Sequence, residues 1–181
     1  MKRLSLLRHA KSGWDAPATR DFDRGLNARG RRGARTMGRY LRDEGLAFDR
    51  VVASPAVRVT ETLDALEEGY GDALVPHFEP RLYLASAATL IDQIHETPDE
   101  VESLLLSGHN PGMEEVILLL APDGDESGLR DSVEEKFPTA AFVELQFDVE
   151  HWADVTPGSG RLSRFMRPRD LDAALGPEAR D

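Results

Sequence analysis

Two histidines and two arginines stand where apolar runs give way to polar loops. The run Leu4-Ser5-Leu6-Leu7 ends on Arg8-His9. Residues 50–53 lead into Ser54-Pro55-Ala56-Val57-Arg58, and residues 101–106 lead into Ser107-Gly108-His109-Asn110-Pro111-Gly112. These residue types suit a phosphoryl dianion. Guanidinium forks match phosphate oxygens in a bidentate way. A neutral imidazole nitrogen can attack phosphorus while its partner nitrogen is held by a hydrogen bond. Helices beginning after Ser54 and Asn110 would add oriented N–H donors and a favourable dipole. With no cysteine in the chain, thiolate nucleophiles, disulfides and Cys-ligated zinc are excluded.

Short apolar strands alternate with amphipathic helices, which predicts an α/β fold: a three-layer α/β/α sandwich on a mainly parallel central sheet. Strands are predicted at 4–7, 50–53, 75–78, 101–106, 140–147 and 162–166. Asn27 caps a first helix with Ala34, Met37, Gly38 and Leu41 on one face. Ser54-Pro55 reads as cap plus first residue of a second, whose stripe is Val59, Leu63, Leu66 and Tyr70. Ser86 caps a third, and Asn110-Pro111 repeats the cap-then-proline device. Residues 122–132 read as a polar connection. One domain of 1–167 is expected, followed by a loose tail at 168–181. In a parallel sheet the ends at Arg8-His9, Ser54–Arg58 and His109 open on one crevice.

At 181 residues, 40% hydrophobic and 30% charged, the chain suits a globular domain. No stretch approaches the roughly 18 apolar residues of a membrane span. Lys2-Arg3 resembles the start of a leader, but Arg8-His9 interrupts the apolar run too early. A cytoplasmic protein with no membrane partner is expected. The net charge of -11 is uneven, with 14 Lys/Arg against 6 Asp/Glu in residues 1–60. That asymmetry either focuses anions toward Arg8-His9, or reflects Arg29, Arg31, Arg32, Arg35, Arg39 and Arg42 decorating a solvated helix face. The acidic balance and the lack of an aromatic-basic motif argue against nucleic acid. Asp21-Phe22-Asp23 lacks the preceding apolar strand of a two-aspartate metal site, so these residues are expected to organise a loop, with Arg24 a substrate contact. His77, His95 and His151 lack metal-ligand spacing. Two arginines beside His9 and His109 would repel a cation, so no metal and no cofactor are expected.

Arg8-His9-Ala10, followed by Ser12 and Trp14, resembles the Arg-His-Gly motif of the histidine phosphatase superfamily, also called phosphoglycerate mutase-like. Ser54, Arg58 and Thr62 match its Ser-x3-Arg-x3-Thr segment, and Gly108-His109 matches its second histidine. Leu26-Asn27-Ala28-Arg29-Gly30 and Ala34 resemble the helix entry between them. The resemblance spans most of residues 1–120. Short length, Ala10 and the segment Ser107 to Gly112 look most like the SixA-type phosphohistidine phosphatases. It implies a phosphoglycerate mutase-like fold and a metal-independent phosphatase. In that reading His9 is the nucleophile of a phosphohistidine intermediate. Arg8, Arg58 and a protonated His109 bind the phosphoryl oxygens, and Ser12, Arg24, Gly108 and Asn110 contact substrate. Two positions depart from the pattern. Asp15 stands where many members carry Asn, and an anion there is a poor phosphate ligand. Glu79 lies where relatives often place an acidic catalyst, and it is either the proton donor or a loop carboxylate paired with Arg81. A departing imidazole, with a reference pKa of about 6.5, needs less protonation than an alkoxide. The implied partner is a phosphohistidine-bearing protein of phosphorelay type. The alternatives are a small phosphorylated metabolite, hydrolysed as a monoester, or a non-catalytic phosphate-binding module.

Overall fold

The computed structural model describes residues 1–13, 19–124 and 126–177. Six strands form one sheet: β1 (Lys2–Arg8), β2 (Arg50–Ala53), β3 (His77–Phe78), β4 (Ser103–Gly108), β5 (Phe142–Phe147) and β6 (Gly160–Met166). Their order is β3-β2-β4-β1-β5-β6. β1 to β4 pair in parallel, while β5 runs antiparallel to both β1 and β6. Helices α1 (Ala28–Asp43), α2 (Val57–Tyr70), α3 (Ala87–His95), α4 (Gly112–Leu120), α5 (Leu129–Glu135) and α6 (Pro168–Leu171) complete the chain.

Strand alternation sends side chains to opposite faces of the sheet. Leu7, Val51, Ala53 and Leu105 pack with Met37 and Leu41 of α1 and with Val59, Leu63 and Leu66 of α2. Leu4, Leu6, Val52, Leu104 and Leu106 pack with Leu90 and Ile94 of α3 and with Met113, Val116 and Ile117 of α4. The α/β/α sandwich is thereby built, with the mostly parallel sheet buried between its helices. Gly38 and Gly69 bring α1 and α2 together: a Cβ on Gly38 would strike the Leu66 carbonyl, and one on Gly69 the Arg35 carbonyl. Among the described residues no helix is long and apolar enough to cross a membrane.

Several boundaries differ from the sequence expectation, each for a local reason. The third strand keeps only His77–Phe78 of 75–78, because Val75 sits at φ 48 and is 80% exposed. The fourth starts at Ser103 because the Val101 carbonyl accepts from Lys2 Nζ and Trp152 Nε1 instead of a strand amide. Ser54 is not the cap of α2, which begins two residues later than expected, at Val57 behind Ala56. Likewise Pro111 occupies the cap position of α4, although the Asn110 side chain still accepts from Glu114 N. Within the expected connection 122–132 a helix starts at Leu129 and buries Val133. The segment expected as a loose tail contains short elements among its described residues. Pro168–Leu171 is helical, and the following turn is tied to α1 by Arg29, which donates to the Ala174 and Gly176 carbonyls, and by Arg32, paired with Asp172.

Candidate active site

The three parallel strands β1, β4 and β2 end side by side, and their C-terminal residues form the site. Arg8-His9 follows β1, Ser54 and Arg58 follow β2, and Gly108-His109 follows β4. Backbone bonds fix the nucleophile's segment. His9 N donates to the Gly108 carbonyl at 3.0 Å, and Ala10 N donates to Thr62 Oγ1 at 2.8 Å. Thr62 Oγ1 in turn donates to the Arg58 carbonyl at 2.5 Å, locking the first turns of α2 to the end of β1. These reaches explain the four-residue spacing from Arg58 to Thr62: both face β1 from one side of α2.

His9, Arg58 and His109 are 9%, 2% and 3% exposed. The rings of His9 and His109 lie 5.4 Å apart between centroids. His9 Nδ1 donates to the Ala10 carbonyl at 2.7 Å, which assigns the proton to Nδ1 and leaves the Nε2 lone pair for attack. Burial, then Arg8, Arg58 and Arg24, push the His9 imidazole down to about 4. Burial, then Arg58 and His9, push His109 down to about 3. Both rings are therefore neutral at pH 7 in this setting, and the protonated His109 that the resemblance implies belongs to the phosphate-bound form. A bound dianion would have to draw the proton in. His109 Nε2 is paired with Ser54 Oγ at 2.8 Å. Ser54 Oγ also accepts from Ala56 N at 3.3 Å, just ahead of α2. His109 Nδ1 and the Nε atoms of Arg8 and Arg58 are buried and make no hydrogen bond among the described residues.

A second layer is built by Asp21. Its carboxylate accepts from Tyr83 Oη at 2.5 Å, Arg24 Nη2 at 2.9 Å and Arg58 Nη2 at 3.1 Å, while its carbonyl accepts from Arg58 Nη1 at 2.8 Å. Tyr83, Arg24 and Arg58 hold the carboxyl well below the ordinary range. Arg24 also donates to Ser12 Oγ at 2.9 Å, so Ser12, Arg24 and Asp21 converge on the site through Arg58. Tyr83 stacks edge-on against His109 and Phe22. Sequence reasoning did not single out Tyr83, which reaches Asp21 across 62 positions. Its only sequence signal is its place four residues after Glu79.

Gly108 contributes its carbonyl to His9, and Asn110 Nδ2 donates to Glu114 and to the Phe137 carbonyl. That same carbonyl accepts from Arg8 Nη1 at 3.0 Å. Glu79 follows β3, and its N–H donates to the carbonyl of Ala53, the last residue of β2. Its carboxylate is held low by the Arg81 amide and guanidinium, which Arg81 also shares with Glu96. Asp15 and Trp14 lie outside the described residues. Among the described residues no group of three or more His, Asp or Glu side chains is placed to hold a metal ion. Four of the six arginines of α1 pair with acids: Arg31 with Glu61, Arg35 with Glu68, Arg32 with Asp172 and Arg42 with Asp43.

Comparison with known proteins agrees with this geometry. The family model of the histidine phosphatase superfamily (branch 1) matches residues 4–83. An uncharacterized protein of Mycobacterium tuberculosis is 36% identical over 164 residues, covering 90% of this chain and all of its own. A structure from Agrobacterium tumefaciens described as phosphohistidine phosphatase SixA is 30% identical, with TM-score 0.76, covering 92% of this chain and 98% of that one. A structure from Nakamurella multipartitia bearing the same description is 29% identical, with TM-score 0.79, covering 92% and 96%. With its phosphoglycerate mutase-like fold and with Arg8, His9, Arg58 and His109 gathered at three strand ends, this chain is a phosphatase belonging to the histidine phosphatase superfamily.

Proposed function

We propose that the enzyme removes the phosphoryl group from phosphohistidine on a protein, through a phospho-His9 intermediate and without a metal ion. The observation that carries this reading is the bond from His9 Nδ1 to the Ala10 carbonyl. It presents Nε2 as an unprotonated nucleophile among guanidinium groups. In the first step Nε2 forms a bond to phosphorus as the substrate's P–N bond breaks, and the departing imidazole takes a proton from solvent. In the second, water attacks phospho-His9 and releases inorganic phosphate, restoring the imidazole. Arg8 and Arg58 supply fixed charge to the phosphoryl oxygens as the transition state spreads its charge. Glu79 supports the choice of leaving group. Held as an ion by Arg81, it is a poor proton donor, which an imidazole leaving group tolerates and an alkoxide does not.

The test is a quench after incubation with a labelled phosphoryl donor in the presence of a chelator. An acid-labile, base-stable phosphoenzyme is expected in the wild type and absent from His9→Ala. Label retained by that variant, or lost on chelation alone, would overturn the mechanism.

A further inference from the structure

A cleft of about 400 Å³ lies beside the phosphoryl site. Arg8 and Ala10, the two neighbours of His9, line it, whereas His9, Arg58 and His109 do not. Its walls carry six cations: Arg8, Lys11, Arg29, Lys136, Arg167 and Arg169. Among the described residues no Asp or Glu lines it. This composition runs against the chain as a whole, whose net charge is -11 and whose last 121 residues hold only 8 Lys/Arg against 27 Asp/Glu. Three of those 8 are in this one cleft.

The cations come from four parts of the fold: the end of β1, the start of α1, the chain following α5, and α6. The framework holds several of them in place. Arg29 donates to the Ala174 and Gly176 carbonyls, and Arg167 donates to both oxygens of Asp170. The Phe137 carbonyl joins the cleft to the catalytic residues, accepting from Arg8 and from Asn110 while its neighbours Lys136 and Pro138 form the cleft wall. Asp170 offsets Arg167, yet among the described residues the wall itself carries only positive side-chain charge, a field that attracts an anionic ligand.

We infer that this cleft docks an acidic stretch of the protein substrate next to the phosphorylated residue that His9 attacks. The inference rests on the proposed phosphoprotein reading. One phosphate is satisfied by one or two guanidinium forks, whereas the five cations other than Arg167, which Asp170 engages, are spread over separate parts of the chain. A row of carboxylates on an extended chain, advancing about 3.3–3.6 Å per residue, meets such charges in succession. The same chain continues past Arg8 to the phosphoryl pocket.

The experiment compares fluorescein-labelled dodecapeptides carrying either six Glu or six Gln, each made with unmodified histidine and with phosphohistidine. Binding is read by anisotropy and turnover by phosphate release. The wild type is expected to prefer the Glu peptides in both readouts, with the preference fading as salt rises. In Lys136→Glu/Arg169→Glu the Glu peptides should lose about tenfold in affinity, and Lys136→Gln/Arg169→Gln should lose less. Thermal melts of both variants establish that they are folded. Equal binding of Glu and Gln peptides to the wild type would overturn the inference, as would a Glu preference that survives charge reversal in the folded variant. Tripolyphosphate binding where neither peptide does would overturn it in favour of a small polyanion. Cleft-dependent binding of Glu peptides without turnover of phosphohistidine would sustain the docking site and sink the phosphohistidine reading. Turnover indifferent to the flanking residues would do the reverse.

Discussion

His9 and His109 share a setting that suppresses protonation, and this has a measurable sign. An imidazole whose folded pKa is lowered stays neutral as pH falls through 6.5 and gains its proton only near the lowered value. NMR titration should therefore keep His9 neutral to about pH 4 and His109 to about pH 3. Inorganic phosphate should shift both upward, since a dianion favours the cation. Titration of either ring near pH 6.5 in phosphate-free buffer would contradict the burial and guanidinium effects described here. Glu79 gives a second expectation. Glu79→Gln should keep phosphohistidine turnover within about threefold of wild type, because the residue it replaces is an ion paired with Arg81. The small-ester reading expects instead a loss of about 10²–10⁴-fold, the usual worth of a general acid. Much of this site was legible from sequence, because each of Arg8, His9, Arg58 and His109 follows a recognisable strand. Tyr83 and the Phe137 carbonyl were not. They reach the site across 62 and 129 positions, and no local pattern encodes such contacts.

At the scale of elements, α1 and α2 are held by glycines at their closest approach. Gly38→Ala removes a helix-destabilising glycine, worth up to about 1 kcal/mol in isolation. Here the added methyl meets the Leu66 carbonyl, so the helices must separate or strain. We expect a net destabilisation of about 1–3 kcal/mol, read as a lower urea midpoint. An unchanged or raised midpoint would show that the two helices yield freely. The strand-helix alternation, and hence the layered fold, was readable because both faces of the sheet are covered and every core strand is apolar. The errors fell where side chains far apart in sequence intervene. Ser54 pairs with His109 as well as with the amide of Ala56 ahead of α2, and the polar, Pro- and Gly-containing segment after Arg167 reads as a loose tail although Arg29 and Arg32 bond to Asp172, Ala174 and Gly176 within it.

For the molecule as a whole, the strand bearing the nucleophile lies inside the sheet, bonded to β4 on one side and β5 on the other. At and beyond its last residue the ties continue: Arg8 N to the Ala141 carbonyl, His9 N to the Gly108 carbonyl, Ala10 N to Thr62 Oγ1. β3, two residues long at the sheet edge, has no such protection. In native-state hydrogen exchange, amides of β1 and His9 should open only with global unfolding, showing full denaturant dependence, while those of His77 and Phe78 exchange through local openings. Sub-global exchange at His9 would contradict this. The nucleophile thus belongs to the most cooperative unit of the protein. Fluctuations at the sheet edge can expose chain to proteases or partners without withdrawing His9 from its place, so catalytic competence should persist in partly opened states and vanish only with the last of the fold.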